Sequence, residues 1–89
     1  MAQITVELVN RLGLHARAAA KFVHTASRFS AHVLVRHNDE EVNGKSILGL
    51  LLLAAPVGSR LTVSATGSDE NDALEALAAL VRERFGEGE

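Results

Sequence analysis

The stretch Gly13-Leu14-His15-Ala16-Arg17-Ala18-Ala19-Ala20 sets an imidazole and a guanidinium two residues apart, where a glycine-containing loop runs into small residues. An imidazole with an ordinary pKa near ~6.5 is largely neutral at cytoplasmic pH and keeps a nitrogen lone pair for nucleophilic attack. Arginine is a permanent cation whose planar fork matches phosphate oxygens. If a helix begins at Ala16, its first backbone N–H groups, those of Ala16, Arg17 and Ala18, lack partners within the helix and lie at the positive end of its dipole, a ready seat for an anion. The combination points to a transient phosphohistidine at His15, with Arg17 and the first-turn amides holding the phosphoryl oxygens. A plainer role, with His15 as a helix cap and Arg17 as a solvated charge, fits the same residues.

Other chemistries find less support. Cysteine is absent, so neither disulfides nor thiolate metal sites are available. His24 follows His15 by about 900° of helical rotation and points the other way. His32 and His37 have opposite parity on a strand and face opposite sides, so no metal site is expected. Gly44-Lys45-Ser46 matches the end of a P-loop, but that motif needs a glycine where Asp39 stands, and ATP binding is rejected. The three phenylalanines, Phe22, Phe29 and Phe85, lie on or beside expected helices, and tyrosine and tryptophan are absent, which removes the stacking platform of an RNA-binding sheet. A net charge of −2 with acids and bases interspersed argues against nucleic acid as a partner. The N-terminus lacks the order of a signal peptide, and the apolar run Ile47 to Pro56 falls short of the ~20 residues that cross a bilayer. A soluble cytoplasmic protein with no membrane partner is expected.

The 89 residues, 47% of them hydrophobic, suit one domain, 1–89, with a thin layered core. Ile4, Val6 and Leu8 alternate with polar residues as a strand with one buried face. A loop at Asn10 to Gly13 leads to a helix over Ala16 to Ser27, whose apolar stripe is Ala16, Ala19, Ala20, Val23 and Ala26, with Phe22 at its edge. A second strand covers Ala31 to His37, and a turn at Asn38-Asp39 leads to a third strand ending near Val42. Ser46 stands at the N-cap of a helix over Ile47 to Leu53, ended by Pro56 and Gly58. Leu61, Val63 and Ala65 mark a fourth strand. The last helix carries Leu74, Leu77, Ala78, Val81 and Phe85, with Asp69, Glu70 and Asp72 at its start, Arg82 and Arg84 at its end, and Gly86 as its C′ residue. Gly86 to Glu89 reads as a frayed tail. The order β-α-β-β-α-β-α with alternating strands predicts an α+β fold, a two-layer open-faced sandwich with a four-stranded antiparallel sheet and three helices on one face.

Gly13-Leu14-His15-Ala16-Arg17 with its small-residue helix resembles the active-site signature of the HPr family, the histidine-containing phosphocarriers of the phosphoenolpyruvate-dependent phosphotransferase system. Asn43-Gly44-Lys45-Ser46-Ile47-Leu48-Gly49 is similar to that family's serine region, at the expected distance from the first block. The resemblance implies a carrier, neither a stand-alone enzyme nor a scaffold, that takes a phosphoryl group on Nδ1 of His15 from phosphorylated enzyme I and gives it to enzyme IIA of a sugar permease, with Arg17 assisting. It implies no cofactor and no metal, and a monomer is expected. It also implies Ser46 as a regulatory site, phosphorylated in some bacteria by HPr kinase/phosphorylase. The helix after Ser46 is apolar nearly all round, so some of Ile47, Leu48 and Leu51 should be exposed, and the resemblance makes that patch the docking surface for both partners. Ala18 departs from the family's usual proline. That keeps open a nitrogen-regulatory paralogue with the same chemistry, and a binding module that carries no phosphate is the alternative from another class.

Overall fold

The computed structural model describes residues 1–88. Its elements run β1 (Ala2–Glu7), α1 (Ala16–Ala26), β2 (His32–His37), β3 (Glu40–Asn43), α2 (Ile47–Leu52), β4 (Arg60–Thr66) and α3 (Glu70–Arg82), followed by a 3-10 turn over Arg84–Gly86. The strands form one antiparallel sheet in the order β1-β4-β2-β3. Its register aligns Ile4, Val63, Val35 and Val42 in one row across all four strands, and Thr5, Thr62, Arg36 and Glu41 in the next. A period of two therefore gives the sheet one apolar and one polar face. Side chains from all three helices join Val33, Val35, Leu61, Val63 and Ala65 in a single core, so the helices cover the apolar face. This is the expected α+β open-faced sandwich.

Several local expectations are corrected. The buried stripe of α1 is Ala18, Ala19, Phe22 and Ala26, whereas Ala16 and Ala20 are exposed. Alanines occupy 16, 18, 19 and 20, so composition there does not fix the face, and the large Phe22 does. Helix α2 ends at Leu52, before Pro56, because Ala54 takes a left-handed φ of 48°. Helix α3 stops at Arg82, and Arg84 and Phe85 both adopt left-handed φ, so Phe85 is buried from a 3-10 turn and Gly86 is not the C′ residue of α3. Asp69 occupies the N-cap position of α3 without capping it. Its carboxylate instead accepts the N–H groups of Ser30 and Ala31, both at 2.9 Å, and ties the α1–β2 connection to the start of α3. These bonds, led by that from Ser30, hold the Asp69 carboxyl below its ordinary range despite partial desolvation.

Candidate phosphoryl-transfer site

His15 is the N-cap of α1, with extended backbone, and its carbonyl accepts the first helical bond from Ala19 N–H at 2.8 Å. Its Nδ1 accepts from Arg17 N–H at 3.3 Å. An Nδ1 that accepts carries no proton, so its lone pair faces the start of the helix, where Ala16, Arg17 and Ala18 form the first turn. The atom that caps the helix is thus the same atom that bears the ring's lone pair. Arg17 is exposed at the rim, and with Arg11, Leu12, His15, Ala16, Lys21, Gly86 and Glu87 it lines an open cleft of about 610 Å³.

The loop that presents His15 is held by its own backbone. Gly13 takes φ 66°, its N–H donates to the Asn10 carbonyl at 3.1 Å, and its carbonyl accepts from His15 N–H at 3.0 Å. A Cβ at Gly13 would lie 2.6 Å from the Ala55 carbonyl oxygen, so only glycine allows this approach. Leu14 N–H donates to that same carbonyl at 3.0 Å, which fixes the His15 loop against the segment after α2.

Two residues of the site were missed by sequence reasoning: Glu87, which meets the His15 ring, and Asn10, which holds Glu87 and the loop before His15. Residues 84–87, after α3, are packed rather than frayed: Lys21 Nζ donates to the Phe85 carbonyl at 2.7 Å, Phe85 is buried, and Glu87 turns back so that its Oε2 meets Nε2 of His15. The His15 and Glu87 side chains are 27% and 12% exposed, so the pair is largely shielded from water. Asn10, fully buried, donates from Nδ2 to the Gly13 carbonyl at 2.7 Å and to Glu87 Oε1 at 3.0 Å. Both partners are acceptors, which fixes the amide orientation and leaves Asn10 Oδ1 buried with no hydrogen-bond partner. Burial raises the Glu87 carboxyl pKa, but the bonds from Asn10 and His15 and the nearby positive charge outweigh it, and the net shift is downward. Nothing in a Gly-Glu-Gly tail signals this. The available clue was Phe85, an apolar anchor two residues away. Glu89, the last residue of the tail expected to fray, lies outside the described residues.

Ser46 caps α2 as expected, its Oγ accepting Gly49 N–H at 3.0 Å. On that helix Ile47 is 43% and Leu48 70% exposed, but Leu51 packs partly against the core, and Leu52, at 66%, takes the exposed place one turn after Leu48. His24, His32 and His37 form no part of the cleft, and among the described residues no group of three or more histidine or acidic side chains could hold a metal. Among those residues no helix is long and apolar enough to cross a membrane.

A family model described as "PTS HPr component phosphorylation site" matches residues 2–83. The chain belongs to the HPr family. The phosphocarrier protein HPr of Neisseria meningitidis serogroup B is 49% identical over the full length of both chains, and that of Cupriavidus necator 46% identical, again over all of both. The crystal structure of HPr-C-His from Thermoanaerobacter tengcongensis superposes with a TM-score of 0.94 at 45% identity, covering 98% of each chain. Members of the HPr family are the phosphoryl carriers of the phosphotransferase system, and this chain shares that role. Both curated relatives carry the phosphocarrier name, which favours neither the nitrogen-regulatory paralogue nor the phosphate-free binding module.

Proposed function

We propose that the protein carries its phosphoryl group on Nδ1 of His15, taken from phosphorylated enzyme I and passed to enzyme IIA components of sugar permeases, acting as a cytoplasmic monomer. The observation that carries the assignment is the Arg17 N–H donated to Nδ1, which identifies the nitrogen that bears the lone pair. Attack by that lone pair forms a nitrogen–phosphorus bond while the bond between phosphorus and the donor breaks, its electron pair leaving with the donor. The phosphoryl oxygens then lie at the start of α1, where the amides of Ala16, Arg17 and Ala18 and the Arg17 guanidinium stabilise their charge. A cleft open to solvent suits a histidine that two proteins must reach in turn.

Both partners dock over Ile47 and Leu48, with Leu52 in the place expected of Leu51. Ser46 is a regulatory site for a kinase of the HPr kinase/phosphorylase type, since a phosphate on its oxygen adds about two negative charges beside that apolar surface. Its hydroxyl is half-buried and engaged in capping, so phosphorylation must give up the bond to Gly49 N–H.

Incubation with phosphoenolpyruvate and enzyme I tests the carrier assignment by mass and acid lability. One acid-labile phosphoryl group, lost in His15→Ala, supports it. No uptake with a cognate enzyme I refutes it.

A further inference from the structure

Resting on the carrier assignment above, we propose that Glu87 is a positioning residue for His15: its carboxylate holds the proton on Nε2, keeps Nδ1 free to attack, and balances the positive charge that the ring develops as phosphorus bonds to it.

The geometry gives each ring nitrogen a different kind of partner. On one side a backbone N–H, that of Arg17, can only donate, so it requires a bare Nδ1. On the other side an ionised carboxylate can only accept, so it requires Nε2–H. The two contacts select the same tautomer. They also fix the ring plane, since the carboxylate is itself held at its second oxygen by Asn10 Nδ2 at 3.0 Å. Asn10 in turn grips the Gly13 carbonyl in the loop that carries His15. The chain Gly13–Asn10–Glu87–His15 closes a ring of hydrogen bonds between the loop and the segment after α3, with Phe85 buried as its anchor.

This arrangement has a consequence for transfer. When the Nδ1 lone pair bonds to phosphorus and the donor departs with the electron pair of the broken bond, Nε2 retains its proton and the imidazole becomes cationic. A largely desolvated carboxylate on Nε2 stabilises that charge more than water would, as a buried carboxylate does behind the histidine of a nucleophile-activating triad. The same charge keeps phosphorus on a good leaving group, so onward transfer, in which the pair returns to Nδ1, stays fast.

The test is Glu87→Gln in the full chain, a change that keeps size and removes charge. Three quantities are compared with the parent: kcat and KM as phosphoryl acceptor from enzyme I, the nitrogen NMR shifts of the His15 ring, and Tm. Loss of the orienting partner should lower kcat by about tenfold to a hundredfold with KM unchanged within about twofold. The ring should pass from a single Nε2–H form to a mixture of tautomers, with Tm little altered because Glu87 lies outside the core. A kcat within twofold of the parent, or a ring that remains wholly Nε2–H, overturns the proposal. The NMR arm needs no phosphoryl donor. A parent chain that accepts no phosphoryl group would therefore refute the carrier assignment, while the tautomer comparison still decides whether Glu87 orients His15.

Discussion

Replacing Gly13 by alanine should damage stability and transfer together, and the structure sets the size of the loss. At φ 66° an alanine pays the left-handed penalty of about 1–2 kcal/mol. The added Cβ would meet the Ala55 carbonyl oxygen at 2.6 Å and Pro56 Cα at 2.9 Å, both backbone atoms that cannot rotate away. Relief requires the loop to lift, which lengthens the 3.0 Å bond from Leu14 N–H to the Ala55 carbonyl and forfeits part of its roughly 0.5–1.5 kcal/mol. The sum is about 2–3 kcal/mol, a large part of the roughly 4–13 kcal/mol expected for a domain of this length. Gly58 supplies the control, since its φ is 89° but nothing lies within 4 Å of a Cβ there. Gly58→Ala should therefore cost only about 1–2 kcal/mol. Urea unfolding followed by circular dichroism measures both, and for Gly13→Ala the Tm should fall by roughly 10–20 °C. Because the Gly13 carbonyl also receives Asn10 Nδ2 and His15 N–H, the phosphoryl-transfer rate should fall in Gly13→Ala and hold in Gly58→Ala. Equal losses of stability in the two variants would refute the close-approach argument, and a Gly13→Ala loss below about 0.5 kcal/mol would refute the left-handed assignment as well.

Three further outcomes are expected. Leu50→Ala empties a fully buried position and should cost about 2–5 kcal/mol in urea, whereas Leu48→Ala, at an exposed position, should cost less than about 0.5 kcal/mol yet raise KM with enzyme I. Asp69 has a folded-state pKa below its unfolded value, so the native state binds fewer protons near pH 4; its contribution is complete above the unfolded value of about 4 and disappears as pH falls through the folded one. The urea midpoints of the parent and Asp69→Asn should accordingly differ at pH 7 and converge as pH falls through the lowered folded-state pKa of Asp69. Ala18→Pro places proline at the third residue of α1, where its missing N–H breaks no helical bond, and should raise stability by about 0.4–1 kcal/mol by restricting the unfolded chain, read as a higher urea midpoint.

What the sequence by itself determined follows from local rules. Alternation placed β1, β2 and β4 and told the wet face from the buried one, because a period of two maps directly onto the two sides of a sheet, and the turn at Asn38-Asp39 placed the short β3. Ser46 at its cap and His15 at the start of α1 were legible because capping depends on residues only a few positions apart. The apolar excess of α2 was also legible, although which leucine it would expose was not. Leu51 and Leu52 are chemically identical, and the rotation of the helix against the core chose between them. The alanine run of α1 posed the same problem, and Phe22 resolved it by filling the core.

Only the tertiary structure decided the environment of His15. Glu87 and His15 are separated by 72 positions, and Asn10 and Glu87 by 77, so no periodicity or cap rule could pair them. Their meeting depends on Arg84 and Phe85 leaving the α3 helix in a left-handed turn, and on the burial of Phe85 compensating for that turn. A segment that by composition belongs in water is thereby folded back over the site. Sequence supplied the imidazole and the helix start. Long-range packing supplied the carboxylate that meets its Nε2.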